Sequence, residues 1–122
     1  MATNSTKLSK RLCFKVVDRD GYTVALEKDC WYGHILHGHR KQMQSRLHDI
    51  QLTIERADRI DSYLAETLQN RVYWKRWHDQ DSYGNEFMKV ATEMIDAKEK
   101  LARVLTAYPM DLLPPPPKPV ER

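Results

Sequence analysis

The spacing of apolar residues changes along the chain. It is typical of helices in one part of the chain and of strands in the parts before and after it. Around the turn sequence "DRDG", residues 18–21, the flanking segments "LCFKVVD" and "YTVALE" are rich in apolar and β-branched residues. This pattern predicts an N-terminal β-hairpin, with Gly21 able to take the positive φ of a tight turn. Residues 28–55 then carry apolar residues three and four apart, which predicts two helices. The repeat is formed by Trp31, Ile35 and Leu36 in the first helix, and by Met43, Leu47, Ile50 and Ile54 in a second helix over residues 43–55.

Beyond the helices the period of the apolar residues falls to two. Four segments with this period are strand candidates: "RIDSYL", "RVYWKRW", "EFMKVATEMI" and "ARVLTAY". The polar links "DQDSYGN" and "DAKEK" have the composition of hairpin connections. We therefore expect an α+β fold, with an N-terminal β-hairpin and two helices followed by an antiparallel four-stranded meander sheet.

Length and composition indicate one modest domain in a chain of 122 residues. We expect residues 1–10 to be disordered, residues 11–110 to form the single domain, and residues 111–122 to be a proline-rich extended tail. No run of eighteen apolar residues and no secretion signal is present, and the two cysteines are too few for a disulfide scaffold. These features predict a cytoplasmic protein without membrane contact. The net charge of +3 permits a polyanionic partner but does not by itself indicate one.

The window "CWYGHILHGHR", residues 30–40, is unusually rich in histidine. Cys30, His34 and His37 can share a helical face as zinc ligands, although the window lacks the HExxH pattern. His34 and His39 can instead exchange protons near neutral pH, because Gly38 lets the helix end and His39 turn back. In the third interpretation His34 satisfies core groups and the other imidazoles are solvated. Taken alone, the window favours this third interpretation.

Two strand segments offer groups that bind phosphate. In "RVYWKRW" the alternation places Arg71, Tyr73, Lys75 and Trp77 on one face, which suits a phosphate beside a base or sugar. An exposed strand kept soluble by its cations is an equally common explanation. In "ARVLTAYP" the same alternation places Thr106 and Tyr108 on one face with Val104. Their hydroxyls can contact phosphate oxygens, or they can be ordinary strand residues.

Taken in order, five segments resemble the phage-associated members of the barnase–EndoU–colicin–RelE-like nuclease superfamily. These segments are "DGYTVALEKDCWYGHILHGH", "LHDIQLTIERADRI", "RVYWKRW", "FMKVATEMI" and "VLTAYP", and together they cover about residues 20–109. The chain departs from the family pattern at Arg40 and Lys41, where proline and glutamate are expected, and at Ala57, where proline is expected.

The resemblance implies a metal-independent endoribonuclease, toxin-like and of phage or mobile-element origin. It points to His34, His39, Arg71, Tyr73, Thr106 and Tyr108. With Lys75 added from the strand pattern, we expect His34, His39, Arg71 and Thr106 to be catalytic residues, and Tyr73, Lys75 and Tyr108 to be substrate-binding residues. In such an enzyme the 2′-hydroxyl of RNA attacks the adjacent phosphate, so neither a metal nor a cofactor is expected. RNA is the expected partner, and a cognate inhibitor protein stays open as a second one. The alternative is a non-catalytic module, derived from such a nuclease, that binds RNA or a protein.

Overall fold

The computed structural model describes residues 8–62, 71–76 and 86–115. Six strands lie in these segments: β1 (Leu12–Val17), β2 (Thr23–Glu27), β3 (Arg59–Ser62), β4 (Arg71–Arg76), β5 (Phe87–Asp96) and β6 (Leu101–Met110). Between β2 and β3 the chain forms two helices. Helix α1 consists of an α-helical start at Lys28–Cys30, a π-helical segment at Trp31–Ile35 and an α-helical end at Leu36–Met43, and helix α2 is Leu47–Glu55.

The N-terminal hairpin is confirmed, and its turn is closed by the side chain of Asp18. Asp18 Oδ1 accepts hydrogen bonds from the backbone amides of Asp20 (2.8 Å) and Tyr22 (2.9 Å). Gly21 has a φ of +86°, which is costly for any residue with a Cβ atom. The turn pairs β1 with β2 antiparallel.

The two helices are confirmed, but the second begins later than the apolar spacing predicts. Met43 ends α1, and a turn follows in which the amide of Arg46 donates to the carbonyl of Met43 at 2.9 Å. The amide of Ile50 then donates to the carbonyl of Arg46 at 3.1 Å as α2 starts. Met43 and Leu47 pack on one apolar cluster across this turn. Their spacing therefore imitates a continuous helix over residues 43–55.

The sheet contains six strands in the order β1-β2-β6-β5-β4-β3. Strands β3 to β6 pair antiparallel in chain order, but the predicted antiparallel four-stranded meander sheet is not matched, because these strands are part of a six-stranded sheet. The hairpin joins the same sheet through a parallel pairing of β2 with β6. The result is a mixed sheet in an α+β fold.

Each side chain of the sheet lies on one of two faces. The helix face carries the main core, in which Trp31 and Ile35 of α1 and Ile50 and Ile54 of α2 pack on residues of the sheet such as Tyr73. The opposite face, which we call the distal face, has a smaller apolar cluster of Val72, Trp74 and Ala91, with Met110 packed against it. Cross-strand partners share a face. From the register, the distal face therefore carries Arg59 and Asp61 of β3, Val72, Trp74 and Arg76 of β4, Phe87, Lys89, Ala91 and Glu93 of β5, and Arg103, Thr106, Tyr108 and Met110 of β6.

A β-bulge in β6 reverses which face of the sheet the residues after it lie on. Ala91 pairs with Thr106, whereas the next residue, Thr92, pairs with Val104, so Leu105 is the extra residue. Val104 therefore lies on the helix face, and Thr106 and Tyr108 lie on the distal face. The prediction that these three residues share one face is wrong for this reason.

Candidate nucleic-acid interface

Arg71 and Tyr73 share one face, as the alternation predicts, but that face is the one covered by the helices. The Arg71 Nε atom donates to Asp18 Oδ2 at 3.0 Å and to the Tyr73 hydroxyl at 3.1 Å. Its Nη2 atom contacts Asp20 Oδ2 at 2.5 Å, and the Tyr73 hydroxyl donates to Asp18 Oδ2. The guanidinium also lies 4.2 Å from the ring centre of Tyr22. Arg71 thus fastens the β1–β2 turn to β4.

The electrostatics of this network favour a permanent ion pair. Burial opposes the ionisation of Asp18, but hydrogen bonds from Tyr73 and from the amides of Tyr22 and Asp20, together with the Arg71 charge, hold its pKa below the usual value. Burial likewise opposes the charge of Arg71, and hydrogen bonds to Asp20 and Tyr73 raise its pKa above the usual value. Two carboxylates therefore already compensate the Arg71 charge.

The third predicted residue of this face, Lys75, lies at the far end of the same strand. Its Nζ atom is 3.4 Å from the carbonyl oxygen of Arg56, the residue that follows α2. A cation at this position interacts favourably with the unpaired carbonyls of the helix end. Trp77, which the alternation places on this face, lies outside the described residues.

The histidines of α1 lie in different parts of the helix. His34 lies in the π-helical segment and is exposed, and His37 is exposed one turn later. The prediction that the helix ends at Gly38 and lets His39 turn back is wrong, because the helix continues to Met43. The side chain of His39 lies outside the described residues. Single π-helical turns are frequent at functional sites, since they displace one side chain from the helical repeat. His34 is therefore an accessible imidazole on the helix side of the sheet, away from the distal face.

Cys30 is engaged with the backbone of β6. Its Sγ atom lies 3.3 Å from the carbonyl oxygen of Val104 and 3.4 Å from that of Leu105. Burial, helped by the nearby Glu27 and Cys13, raises the pKa of this thiol to about 12. Within residues 8–62, 71–76 and 86–115, no three His, Cys, Asp or Glu side chains are grouped to hold a metal ion.

The distal face presents a row of alternating cations and aromatic rings across four strands. Arg59 pairs with Trp74, Trp74 with Lys89, and Lys89 with Tyr108. The Lys89 Nζ atom lies 5.6 Å from the Trp74 ring centre and 5.3 Å from that of Tyr108, and it is 3.0 Å from the Tyr108 hydroxyl oxygen. Arg59 lies 5.5 Å from the Trp74 ring centre on the other side of the row. The arrangement holds the Lys89 amine in a fixed place.

Lys89 differs from the other cations of this face in its electrostatic environment. Each of the three arginines contacts a carboxylate: Arg59 with Asp61 at 2.9 Å, Arg76 with Glu86 at 3.2 Å, and Arg103 with Glu93 at 3.1 Å. Lys89 has no carboxylate partner among the described residues. Its polar contact there is the neutral Tyr108 hydroxyl. Its charge therefore remains available to an anion.

The predicted site residues divide between the two faces of the sheet. Thr106 and Tyr108 lie with Lys89 on the distal face, and both are partly accessible. Arg71, Tyr73 and Lys75 lie on the helix face. The sequence reasoning missed Lys89, and the signal that could have revealed it is a single lysine between the buried residues Met88 and Val90.

The chain matches no protein-family model, no curated protein and no solved structure. Within the described segments, no helix is long and apolar enough to cross a membrane. The catalytic roles of His34, His39, Arg71 and Thr106 stay predictions.

Proposed function

We propose that the protein is a metal-independent endoribonuclease that holds single-stranded RNA on the distal face of its sheet. The observation that carries the proposal is the Lys89 amine, which lies 3.0 Å from the Tyr108 hydroxyl and has no carboxylate partner among the described residues. Thr106 precedes Tyr108 on the same face and adds a second hydroxyl. An amine with two neighbouring hydroxyls is suited to the oxygens of a phosphodiester.

Lys89 is a better candidate than Arg71 for the phosphate contact. To bind a phosphate, Arg71 would have to leave a carboxylate that is fully buried, Asp18, and a second one, Asp20. Removing one partner from a buried ion pair typically costs about 3–5 kcal/mol. Lys89 would give up only a hydrogen bond to a neutral hydroxyl, which contributes about 0.5–1.5 kcal/mol. Arg71 and Tyr73 then hold the hairpin in place and do not contact RNA.

The aromatic residue at the accessible end of the row favours single-stranded RNA. Tyr108 is partly accessible beside Lys89, whereas Trp74 is buried beneath it. Unpaired bases stack on such rings, and each stacked base contributes about 1–3 kcal/mol. In a duplex the bases are already stacked on one another. We therefore assign base stacking to Tyr108 and the support of the Lys89 side chain to Trp74.

The proposed reaction is the attack of a 2′-hydroxyl on the adjacent phosphate. It requires a base for the 2′-hydroxyl, an acid for the leaving 5′-oxygen and positive charge near the pentacoordinate phosphorus. Lys89 supplies the charge, and Thr106 donates a hydrogen bond to a phosphate oxygen. The sequence-predicted acid–base pair, His34 and His39, belongs to α1, which packs on the opposite face of the sheet, so it is not placed to act on a phosphate held by Lys89. The products are a 2′,3′-cyclic phosphate and a free 5′-hydroxyl.

The test is cleavage of an end-labelled single-stranded oligoribonucleotide with and without a chelator. We expect cleavage in both conditions, 2′,3′-cyclic phosphate ends, and no cleavage where a 2′-deoxy nucleotide replaces the reactive one. Lys89→Ala is expected to lose on the order of 10²-fold or more in rate, as is typical of removing one preorganised charge contact. The matched control is Lys98→Ala, which removes the same charge from an exposed turn between β5 and β6.

The histidine candidates have a matched pair of their own. His34→Ala and His37→Ala should both leave the rate close to wild type, because α1 packs on the face of the sheet opposite Lys89. A loss of about 10²–10⁴-fold in His34→Ala, typical of a removed general acid or base, would place the reaction on the helix side and contradict the distal-face proposal. Both side chains are exposed on α1, so their effects on folding should be similar. RNA binding without cleavage at any pH between about 5 and 9 would instead support the non-catalytic binding module. Absence of both binding and cleavage would overturn the proposal.

A further inference from the structure

A second row of side chains on the distal face lies beside the row that contains Lys89. It joins Arg76 of β4 to Phe87 of β5, and Phe87 to Met110 of β6, as cross-strand pairs. The Arg76 guanidinium lies 5.7 Å from the Phe87 ring centre. This row therefore repeats the combination of a cation and an aromatic ring that Lys89 and Tyr108 form.

The Phe87 ring belongs to neither of the two apolar clusters of the sheet. It is partly accessible, and among the described residues it packs against neither the main core nor the small cluster around Trp74. Met110, its partner in the row, does pack against that small cluster. The packing of the fold therefore leaves the Phe87 ring available to a ligand.

Arg76 is held loosely enough to contact an anion. Its side chain is 65% exposed, and it contacts the Glu86 carboxylate at 3.2 Å. An exposed ion pair of this kind contributes little to stability, because water screens both charges. A phosphate can therefore replace Glu86 as the partner of the Arg76 guanidinium with little loss of stability.

The spacing of the two accessible rings fits two successive nucleotides of a single strand. Phe87 and Tyr108 are diagonal neighbours across β5 and β6, because Phe87 pairs with Met110 and Lys89 pairs with Tyr108. Diagonal neighbours lie about 7–8 Å apart. Successive nucleotides in one strand of a duplex are only about 3.4 Å apart along the axis. Two rings at the larger separation can each stack a base only where the strand is extended and its bases are unstacked from each other.

We propose that the distal face holds two successive nucleotides, with the second base stacked on Phe87 and its phosphate in contact with Arg76. This inference rests on the proposed function, in which Tyr108 stacks the first base and Lys89 contacts the first phosphate. Sheets that bind single-stranded RNA use aromatic rings on one face to stack two or three bases. The arrangement selects an extended single strand but not a sequence, since every base has a face that can stack.

The test measures the affinity of two ligands for variants of the full chain. One ligand is a 2′-O-methyl tetranucleotide, which cannot be cleaved, and the other is the same sugar–phosphate backbone without bases. Phe87→Ala should weaken binding of the tetranucleotide by about 5–150-fold, which corresponds to the about 1–3 kcal/mol of one stacked base. It should leave binding of the abasic backbone unchanged, whereas a merely structural change would weaken both. Tyr32→Ala is the matched control and should bind both ligands like wild type, because Tyr32 is a 64% exposed aromatic residue on α1.

Two further variants separate a second nucleotide from a wider contact with the first. Arg76→Ala should reduce the slope of log affinity against log salt by about 0.7 for both ligands, the value for one phosphate contact on a single strand. The losses of Phe87→Ala and Tyr108→Ala should multiply in the double variant, because the two rings hold different bases. Should Phe87→Ala fail to fold, Phe87→Leu replaces it, and Phe87→Tyr, which keeps a ring, should bind like wild type.

The possible results distinguish this inference from the proposed function. A wild type that binds the tetranucleotide, together with a Phe87→Ala variant of equal affinity, overturns this inference alone. A double variant that loses no more affinity than Tyr108→Ala shows that both rings hold one base, and it also overturns this inference alone. A wild type that binds neither ligand overturns the proposed function as well.

Discussion

Replacing Arg71 by alanine tests whether this residue serves the fold. The Asp18 side chain has no solvent exposure and receives both the Arg71 guanidinium and the Tyr73 hydroxyl. Without Arg71, Asp18 keeps the hydroxyl and two backbone amides but loses its counter-charge. Removing one member of a buried ion pair, so that the other charge is left unpaired, typically lowers the free energy of unfolding by about 3–5 kcal/mol. Since three hydrogen bonds to Asp18 survive, we expect a loss near the lower end, about 3 kcal/mol.

The second carboxylate in contact with Arg71 adds little to this figure. The Asp20 side chain is 53% exposed, and ion pairs with an exposed member contribute about 0–1 kcal/mol. The assay is urea unfolding at pH 7, followed by far-ultraviolet circular dichroism. Arg76→Ala is the control, because its pair with Glu86 is largely exposed and its loss should cost less than about 1 kcal/mol.

The pH dependence separates this explanation from a simple loss of packing. The pKa of Asp18 is lower in the folded protein than in the unfolded chain, where it is about 3.9. The ionised Asp18 side chain therefore stabilises the fold fully above the unfolded pKa, and this stabilisation is lost as the pH falls through the folded pKa. In Arg71→Ala the carboxyl lacks its cation and takes up a proton at higher pH. The difference between variant and wild type should therefore shrink as the pH falls below about 4. A loss below about 1 kcal/mol at pH 7, or a penalty that does not change with pH, would refute the reasoning and make Arg71 available for phosphate.

Three further predictions follow from the fold. Gly38→Ala should stabilise the protein by about 0.5–1 kcal/mol in urea unfolding, because Gly38 is helical and an added Cβ atom would meet no atom within 4 Å. Gly21→Ala should instead destabilise the protein, because Gly21 has a positive φ that is costly for alanine. Cys30 should react with a thiol reagent at pH 8 at least about 100-fold more slowly in the folded than in the urea-unfolded protein, because its folded pKa is about 12; equal rates would contradict its burial. Trp74→Phe should cost about 1–3 kcal/mol, since the Nε1 atom donates to the buried Asp61 at 3.0 Å, and a neutral substitution would show that this bond contributes nothing.

Alternation along a strand predicts which residues share a face, but it does not show what covers that face. Arg71, Tyr73 and Lys75 are on one face as expected, and Trp74 and Arg76 are on the other. Which face meets the helices depends on where α1 and α2 pack, and this is set by contacts between distant parts of the chain. A strand with cations on both faces offers no local sign of the buried side. The sequence pattern thus predicted the grouping of Arg71 and Tyr73 but not their burial.

The remaining differences also come from non-local pairing. The parallel contact of β2 with β6 joins residues about 80 positions apart, such as Thr23 and Leu101, and no periodicity within either segment indicates it. The extra residue Leu105 moves Thr106 and Tyr108 to the distal face, although "RVLTAY" has the composition of an unbroken strand. Lys89 gains its significance only from its neighbours Trp74 and Tyr108 on adjacent strands. A lysine between two apolar residues marks the position in the sequence, but its pairing with both aromatic residues can be found only once the register is known.

The most direct measurement of the central claim is the salt dependence of RNA binding by Lys89→Ala. The ligand is a single-stranded 2′-O-methyl oligonucleotide, which lacks the nucleophile and so reports binding without cleavage. If Lys89 contacts a phosphate, the slope of log affinity against log salt should fall by about 0.7, the value for one phosphate contact on a single strand. Lys98→Ala should leave both the slope and the affinity close to wild type. A Lys89→Ala variant with the affinity and slope of Lys98→Ala would contradict the claim that RNA binds the distal face through Lys89.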